Sequence, residues 1–435
     1  MSEPKKFLKF GSSGIRGIAN KEITPQIALD LGLAIGSLYP EVVVGRDPRI
    51  AGEMIENAVT AGLLSSGSKV VRIGMVPTPT LALASKGHGC GIMVTASHNP
   101  AEYIGIKVFK DGMSFDTEQQ QKIEEILMTG TFRYANWDKT GSVRNPGTAI
   151  DDHIGLILQN TSNACLKVVV DCGCGAASVI TPYVLREMGC EVITLNSQPD
   201  GHFPAREPEP VDETLGLLKS TVRAADADLG IAHDGDADRM MAVDDQGNFV
   251  KGDKMLAFFA IREAKKAIAV PVDASKVIDD LLAGIKIART KVGDVYVAEE
   301  LKKIKGEFGG EPSGAWIFPR ISLCPDGIYA AARLVEIVEK EGELSRLLDS
   351  IPEYPVKRGA YLCRDKERAM IKITQELKGL GEINTLDGIK ADLEDGWILV
   401  RPSGTEPKIR ITVESSNNCD ELYRRAEEIV RKAVA

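Results

Sequence analysis

Histidine is scarce in this chain, five in 435 residues, and no GxSxG surrounds Ser97, the candidate nucleophile, so a hydrolase nucleophile elbow has little support. The eight cysteines include no CxxC pair. The closest two, Cys172 and Cys174, are followed by no matching Cys or His cluster, which argues against a zinc site or a disulfide framework and fits a reducing cytoplasm. No run of ~18 apolar residues occurs, and the opening MSEPKKFLKF lacks the apolar stretch of a secretion signal, so neither membrane spanning nor export is expected. Positive charge is in deficit: the formal net charge is −9 and the acidic residues are spread along the chain, which argues against a nucleic-acid partner. No solenoid-type period is present.

What is there describes a folded chain. Apolar residues make up 43% and charged residues 26%, enough to bury a large core, and 435 residues exceed the ~100–200 of one domain. Short β-branched runs, EVVVG at 41–45, KVVRIG at 69–74, GIMVTA at 91–96, KVVVD at 167–171, EVITL at 191–195 and a further one near Ile285 to Thr290, alternate with helical stretches. That alternation predicts α/β layers with mostly parallel strands. A helix is expected from Thr24 to Leu38, capped by Thr24 with Pro25 in its first turn. Turn-rich segments at 141–148, 244–253 and 350–359 divide the chain into four domains, 1–149, 150–250, 251–353 and 354–435. The first three are expected to be similar mixed α/β units, candidates for diverged repeats. The fourth, two strands followed by a helix capped by Asp420, is expected to be a smaller α+β unit.

Several segments carry chemistry. HDGDADR places Asp234, Asp236 and Asp238 at every second position after a strand, and an extended loop there aims all three carboxylates one way. Such a cluster repels itself unless a cation sits within it, and oxygen ligands suit magnesium or calcium better than zinc. The bland alternative is a solvated acidic turn; an EF-hand fails because its later Glu position falls in Val243 to Asp245. TASHNP exposes Ser97 just past a strand, with His98 beside it and Lys107 downstream to assist a weak hydroxyl nucleophile, unless this is an ordinary capped turn. RPSGTEPKIR, with Arg401, Lys408 and Arg410, is a loop able to cradle a phosphate dianion, or a plain basic hairpin. GSSGIRG with Arg16 and GRDPR with Arg46 repeat that chemistry, and GGEPSG offers Glu311 and Ser313 for gripping sugar hydroxyls.

Together these segments resemble the α-D-phosphohexomutase superfamily along nearly the whole chain: GSSGIRG, GRDPR, TASHNP, GIK, DGDADR, TKVGD, GEPSG and RPSGTEP stand in that family's order. The resemblance implies four domains around a central cleft. It implies Ser97 as the phosphoserine, and one Mg2+ held by Asp234, Asp236, Asp238 and a Ser97 phosphoryl oxygen. Lys107, His98 and Arg16 are then the acid/base candidates and Arg239 the neighbour of the metal loop. Glu311 and Ser313 contact the sugar, Arg401, Ser403, Gly404, Thr405 and Arg410 hold the unreacting phosphate, and Lys291 lines the same cleft as a further substrate-binding residue. The implied reaction moves a phosphoryl group between the 6- and 1-oxygens of a hexose through a bisphosphorylated sugar, which also serves as activator.

The departures bear on the sugar: Ile104 stands before GIK where Asn is common, Ala315 replaces a His after GEPSG, and Cys174 replaces an Asn in DCGCGAA. TKVGD with Asp294 looks more like phosphoglucosamine mutases, so glucosamine phosphate is expected ahead of mannose or glucose phosphate. A non-catalytic sugar-phosphate sensor would have lost Ser97 or an aspartate, and a phosphatase would release inorganic phosphate without isomerisation. A cytoplasmic monomer or homodimer with a sugar-phosphate partner is expected.

Overall fold

The computed structural model describes residues 10–11, 14–402 and 407–434. Strands β1 (Ile15–Ile18), β2 (Glu41–Arg46), β3 (Lys69–Met75), β4 (Cys90–Val94), β5 (Tyr103–Lys110), β6 (Met113–Ser114) and β7 (Val143–Arg144) form the first sheet. Their order is β1-β5-β4-β2-β3-β7, with β6 on β5. A second sheet holds β8 (Lys167–Asp171), β9 (Glu191–Leu195), β10 (Leu229–His233) and β11 (Met240–Val243) in the order β11-β10-β8-β9. The third holds β12 (Ala267–Pro271), β13 (Lys286–Thr290), β14 (Phe308–Gly310) and β15 (Trp316–Ile317) in the order β13-β12-β14-β15.

One plan recurs in these three sheets. The first strand of each set of four pairs in parallel with the second and third, and the fourth returns antiparallel to the third: β2, β3, β4, β5, then β8 to β11, then β12 to β15. Buried β-branched residues such as Val42, Val43, Val44, Val168, Val169 and Val170 suit strands covered on both faces by crossover helices. Parallel pairs predominate, as expected, and each antiparallel return closes a short connection between the third and fourth strands.

The helix expected after Thr24 spans Pro25–Leu38, and Thr24 Oγ1 accepts from the Ile27 N–H. It lies against the helix Gly52–Ser65 with the backbones in contact: a Cβ on Gly32 would stand 2.2 Å from the Val59 carbonyl oxygen, and one on Gly62 2.3 Å from that of Leu29. Only glycine fits both positions.

The fourth sheet is wholly antiparallel: β16 (Val356–Leu362), β17 (Glu382–Asn384), β18 (Ile389–Leu393), β19 (Gly396–Pro402) and β20 (Lys408–Ser415) lie in the order β16-β20-β19-β18-β17. Its closing helix is Cys419–Val434. Asn418, not Asp420, caps that helix, its Oδ1 accepting from the Glu421 N–H at 3.1 Å; Asp420 sits inside the first turn, where its charge still suits the helix dipole.

Apolar side chains from Ile157 to Ile351 form one continuous core shared by the second and third sheets, whereas the first and fourth sheets have cores of their own. The buried His153 ring ties the first unit to the third, meeting Thr80 Oγ1 at 2.8 Å and Asp326 Oδ2 at 3.0 Å. The fourth unit leans on the third through Val272, Trp397 and Leu399 and a few polar links, including Lys276 N–H to Glu414 Oε1 at 3.0 Å. Among the described residues no helix is long and apolar enough to cross a membrane.

Candidate active site

The three recurring connections converge. Residues 95–102 join β4 to β5 and carry Ser97; 234–239 join β10 to β11 and carry the three aspartates; 311–315 join β14 to β15 and carry Glu311 and Ser313. All lie beyond the carboxyl ends of parallel strands, where open α/β sheets leave a crevice.

Ser97 takes φ 52°, a left-handed conformation that costs a serine about 1–3 kcal/mol. The surroundings enforce it. Its N–H donates to Thr95 Oγ1 at 2.9 Å, and Thr95 donates in turn to Asp47 Oδ2 at 2.6 Å. Arg49, 1% exposed, donates to the carbonyls of Ser97, Asn99, Pro100 and Tyr103 at 2.6–2.9 Å and pairs with Asp47 at 3.1 Å. Its guanidinium also lies 5.0 Å from the Phe203 ring centroid. A Cβ on Gly235 would stand 2.6 Å from the Ser97 carbonyl oxygen, so the serine and aspartate loops touch through their backbones.

The Ser97 hydroxyl donates to Asp234 Oδ2 at 2.6 Å. His98 Nδ1 is farther, 3.4 Å from Ser97 Oγ; burial and the cations of Arg239, Arg16 and Lys107 push the His98 pKa far down and keep the ring neutral. The aspartate loop is not extended, as its alternation suggested. Ala237 at φ 57° turns it, and the turn brings one oxygen from each of Asp234, Asp236 and Asp238 within 4.8 Å of the others.

Lys107 Nζ donates to Asp236 Oδ2 at 2.8 Å and Asp238 Oδ2 at 2.6 Å. Burial alone would lower the Lys107 pKa, but these two carboxylates outweigh it and raise it. Burial likewise opposes ionisation of Asp236, yet Lys107 and the Thr78 hydroxyl hold it below the usual carboxylate range. Asp234 moves the other way, raised by burial and then by Asp238 and Asp236. Asp236 Oδ1 is buried without a partner. A convergent all-oxygen donor set with an orphaned carboxylate oxygen fits a hard divalent cation.

Around this centre Arg16, on β1, donates to Asn99 Oδ1 at 3.2 Å, its Nε is buried without a partner, and burial lowers its pKa. The Arg239 N–H donates to Asp234 Oδ1 at 3.1 Å and its guanidinium to Glu209 Oε1 at 3.1 Å. His233, behind the loop, donates from Nδ1 to the Arg239 carbonyl at 2.9 Å; burial pushes its pKa down to about 4. The Met240 N–H donates to the Gly314 carbonyl at 3.0 Å, joining the aspartate loop to the Glu311 loop.

A cleft of about 870 Å³ runs from His98 and Arg239 past Glu311 and Ser313 to Arg401 and Arg410. Glu311 Oε1 accepts from the Gly293 N–H at 2.8 Å, and burial with Asp294 and Asp273 pushes its pKa up to about 8. Ser313 Oγ is shielded and has no partner. Arg401 pairs with Asp387 at 2.7 Å. Ser403, Gly404 and Thr405 lie outside the described residues. Lys291 is exposed, with its ammonium 5.8 Å from the Tyr296 ring centroid, and Val292 rather than Lys291 lines the cleft.

Sequence reasoning singled out Arg46 in GRDPR, but Arg46 pairs with Glu56 at 3.3 Å while Arg49 of the same motif binds the Ser97 loop. Thr78 and Asp387 gave no local signal; the second arginine of GRDPR did. Arg49→Met is expected to destabilise the fold by about 3–5 kcal/mol, because it leaves Asp47 buried without its cation. Urea unfolding measures this, and an unchanged midpoint would show that the cage carries no stability.

Matches to family models cover the chain in four segments, described as Phosphoglucomutase/phosphomannomutase alpha/beta/alpha domain I over residues 8–134, domain II over 151–247, domain III over 251–354 and the C-terminal domain over 362–432. The chain is 56% identical over 430 residues to a protein of Methanococcoides burtonii named "Probable phosphoglucosamine mutase", covering 98% of this chain and 99% of that one. A protein of the same name from Methanosarcina acetivorans is also 56% identical, over 431 residues, with 98% and 99% covered. Among solved structures, a phosphoglucomutase/phosphomannomutase family protein of Burkholderia thailandensis superposes with TM-score 0.85 at 28% identity, covering 97% of this chain and 96% of that one.

Proposed function

The chain belongs to the phosphoglucomutase/phosphomannomutase family, a phosphohexomutase and hence an isomerase, and from that premise we propose that it interconverts glucosamine 6-phosphate and glucosamine 1-phosphate with Ser97 as phosphoryl carrier. The observation that carries the assignment of Ser97 is its hydroxyl, 2.6 Å from Asp234 within the convergent aspartates. The choice of glucosamine rests on the name borne by relatives identical at more than half of their positions.

In this reading phosphorylated Ser97 gives its phosphoryl group to the free hydroxyl of a bound sugar phosphate. The bisphosphorylated sugar turns end over end, and Ser97 takes back the other phosphoryl group. Asp234, Asp236 and Asp238 would hold Mg2+, which supplies positive charge at the transferring phosphoryl oxygens. Lys107, held against Asp236 and Asp238 at 2.8 and 2.6 Å, is the acid/base candidate nearest the transferring group. His98, its Nδ1 3.4 Å from Ser97 Oγ, is a second acid/base candidate, and Arg16 and Arg239 add fixed positive charge. Arg401 and Arg410, with Ser403, Gly404 and Thr405, grip the phosphate that does not react, and Glu311 and Ser313 orient the sugar. Ser97 is 1% exposed, not laid open at the strand exit as its sequence position suggested, and that seclusion would protect a phosphoserine from water. All eight cysteines are free thiols, which suits a reducing cytoplasm.

Purified protein with magnesium, assayed side by side on glucosamine, glucose and mannose phosphates, tests the reading. The highest kcat/KM is expected on glucosamine phosphate. Preference for glucose or mannose phosphate overturns the sugar assignment, and release of inorganic phosphate without isomerisation overturns the mutase.

A further inference from the structure

Between the sugar loop and the phosphate clamp lies a carboxylate that the mechanism above leaves unused. Asp273 follows β12 by two residues, again at the carboxyl end of a parallel strand, and lines the cleft with Glu311, Ser313, Arg401 and Arg410. Its Oδ1 is shielded from solvent and has no hydrogen-bond partner, as is true of Ser313 Oγ on the same cleft. A buried carboxylate oxygen left unsatisfied costs free energy, and such an oxygen in a substrate cleft is matched by a donor on the ligand. Burial raises the Asp273 pKa, while Arg358 and Arg401 act through space to lower it, which places Asp273 beside the clamp. Arg358 itself pairs with Asp253 at 3.3 Å, and Arg401 with Asp387.

Phosphates of hexoses without an amino group bring only hydroxyl donors to this position. An amino sugar brings an ammonium, and its place is fixed by covalent structure: C2, which bears nitrogen, is bonded to C1, which bears the phosphate in the 1-phosphate. When the 1-phosphate occupies the clamp, the ammonium therefore lies next to the clamp, in the part of the cleft that Asp273 shares with Arg401 and Arg410. When the 6-phosphate occupies the clamp, C2 lies away from it.

Resting on the reading that the substrate is a glucosamine phosphate, we propose that Asp273 is a specificity-determining residue that accepts a hydrogen bond from the 2-ammonium of the substrate in the orientation with its 1-phosphate at Arg401 and Arg410. The contact is charge-assisted and shielded, and a site built to bind a donor rejects the analogue that lacks it.

Asp273→Asn keeps the shape and removes the charge. Its kcat/KM for glucosamine 1-phosphate is expected to fall roughly ten- to a hundredfold, with an equal fall for glucosamine 6-phosphate, to which the equilibrium constant ties it, and little change for glucose 1-phosphate. Equal losses on all three substrates, or no loss at all, overturn the inference, the former by showing that Asp273 serves only as counter-charge to Arg358 and Arg401. If the variant does not fold, calorimetry on the wild-type protein decides instead: glucosamine 1-phosphate should bind at least about tenfold more tightly than 2-deoxyglucose 1-phosphate, and equal affinity overturns the inference. A wild-type enzyme active on glucose phosphates and inactive on glucosamine phosphates defeats the substrate reading and this inference with it. A wild-type preference for glucosamine that survives in Asp273→Asn defeats this inference alone.

Discussion

Ser97→Ala is expected to lower mutase turnover by about 10⁴-fold or more while the protein stays folded. The substitution removes one oxygen. The left-handed backbone at φ 52° is as accessible to alanine as to serine, and the contacts that impose it, from Thr95 and Arg49, go to main-chain atoms that survive the change. What disappears is the proposed phosphoryl carrier, and neither His98 nor Asp234 offers a substitute that could carry a group to both ends of a hexose. Turnover of glucosamine 6-phosphate in the presence of bisphosphorylated sugar measures the loss. Intact-mass analysis should show the gain of one phosphoryl group in the wild-type protein and none in the variant. A variant that isomerises at the wild-type rate removes Ser97 from the mechanism.

Asp236→Asn should be nearly as damaging, about a thousandfold in kcat, with a higher magnesium concentration needed for half-maximal activity. Asp236 is held as an anion by Lys107 and Thr78, and its Oδ1 is buried without a partner. The amide keeps one carbonyl oxygen and loses the charge, and Asp238 still receives Lys107 at 2.6 Å, so the fold should persist. Magnesium titrations of activity on both proteins separate weaker ion binding from slower chemistry. Unaltered magnesium dependence in the variant would mean that Asp236 is not a ligand.

Much of the scaffold was legible because strands buried on both faces announce themselves as β-branched runs: KVVVD and EVITL coincide with β8 and β9, and EVVVG falls within β2. The aspartate spacing pointed to a cation, although the trio converges through the turn at Ala237 and not through extended chain. The roles of Asp47, Arg49 and Thr78 were not legible, because they act on backbone carbonyls and carboxylates far away in sequence, and only the fold supplies that proximity. The same holds for Asp273, whose flanking sequence VDAS has no distinguishing pattern. Cys174 was noted only as a departure from Asn; its φ of 56° lies in the region where Asn is favoured, so the family's usual residue there answers a backbone demand that the cysteine meets under strain. The closing helix begins one residue before Asp420 because Asn418 could satisfy the same free N–H groups.

That Ser97, the three aspartates and Glu311 each occupy the same connection of three separate sheets makes the centre a tripod with each foot borne by its own sheet. In the proposed function two feet handle phosphorus and the third handles carbohydrate. Natural or laboratory selection can therefore lengthen, shorten or recharge the third foot, changing which hexose is welcomed, while the phosphoryl-handling pair keeps its spacing.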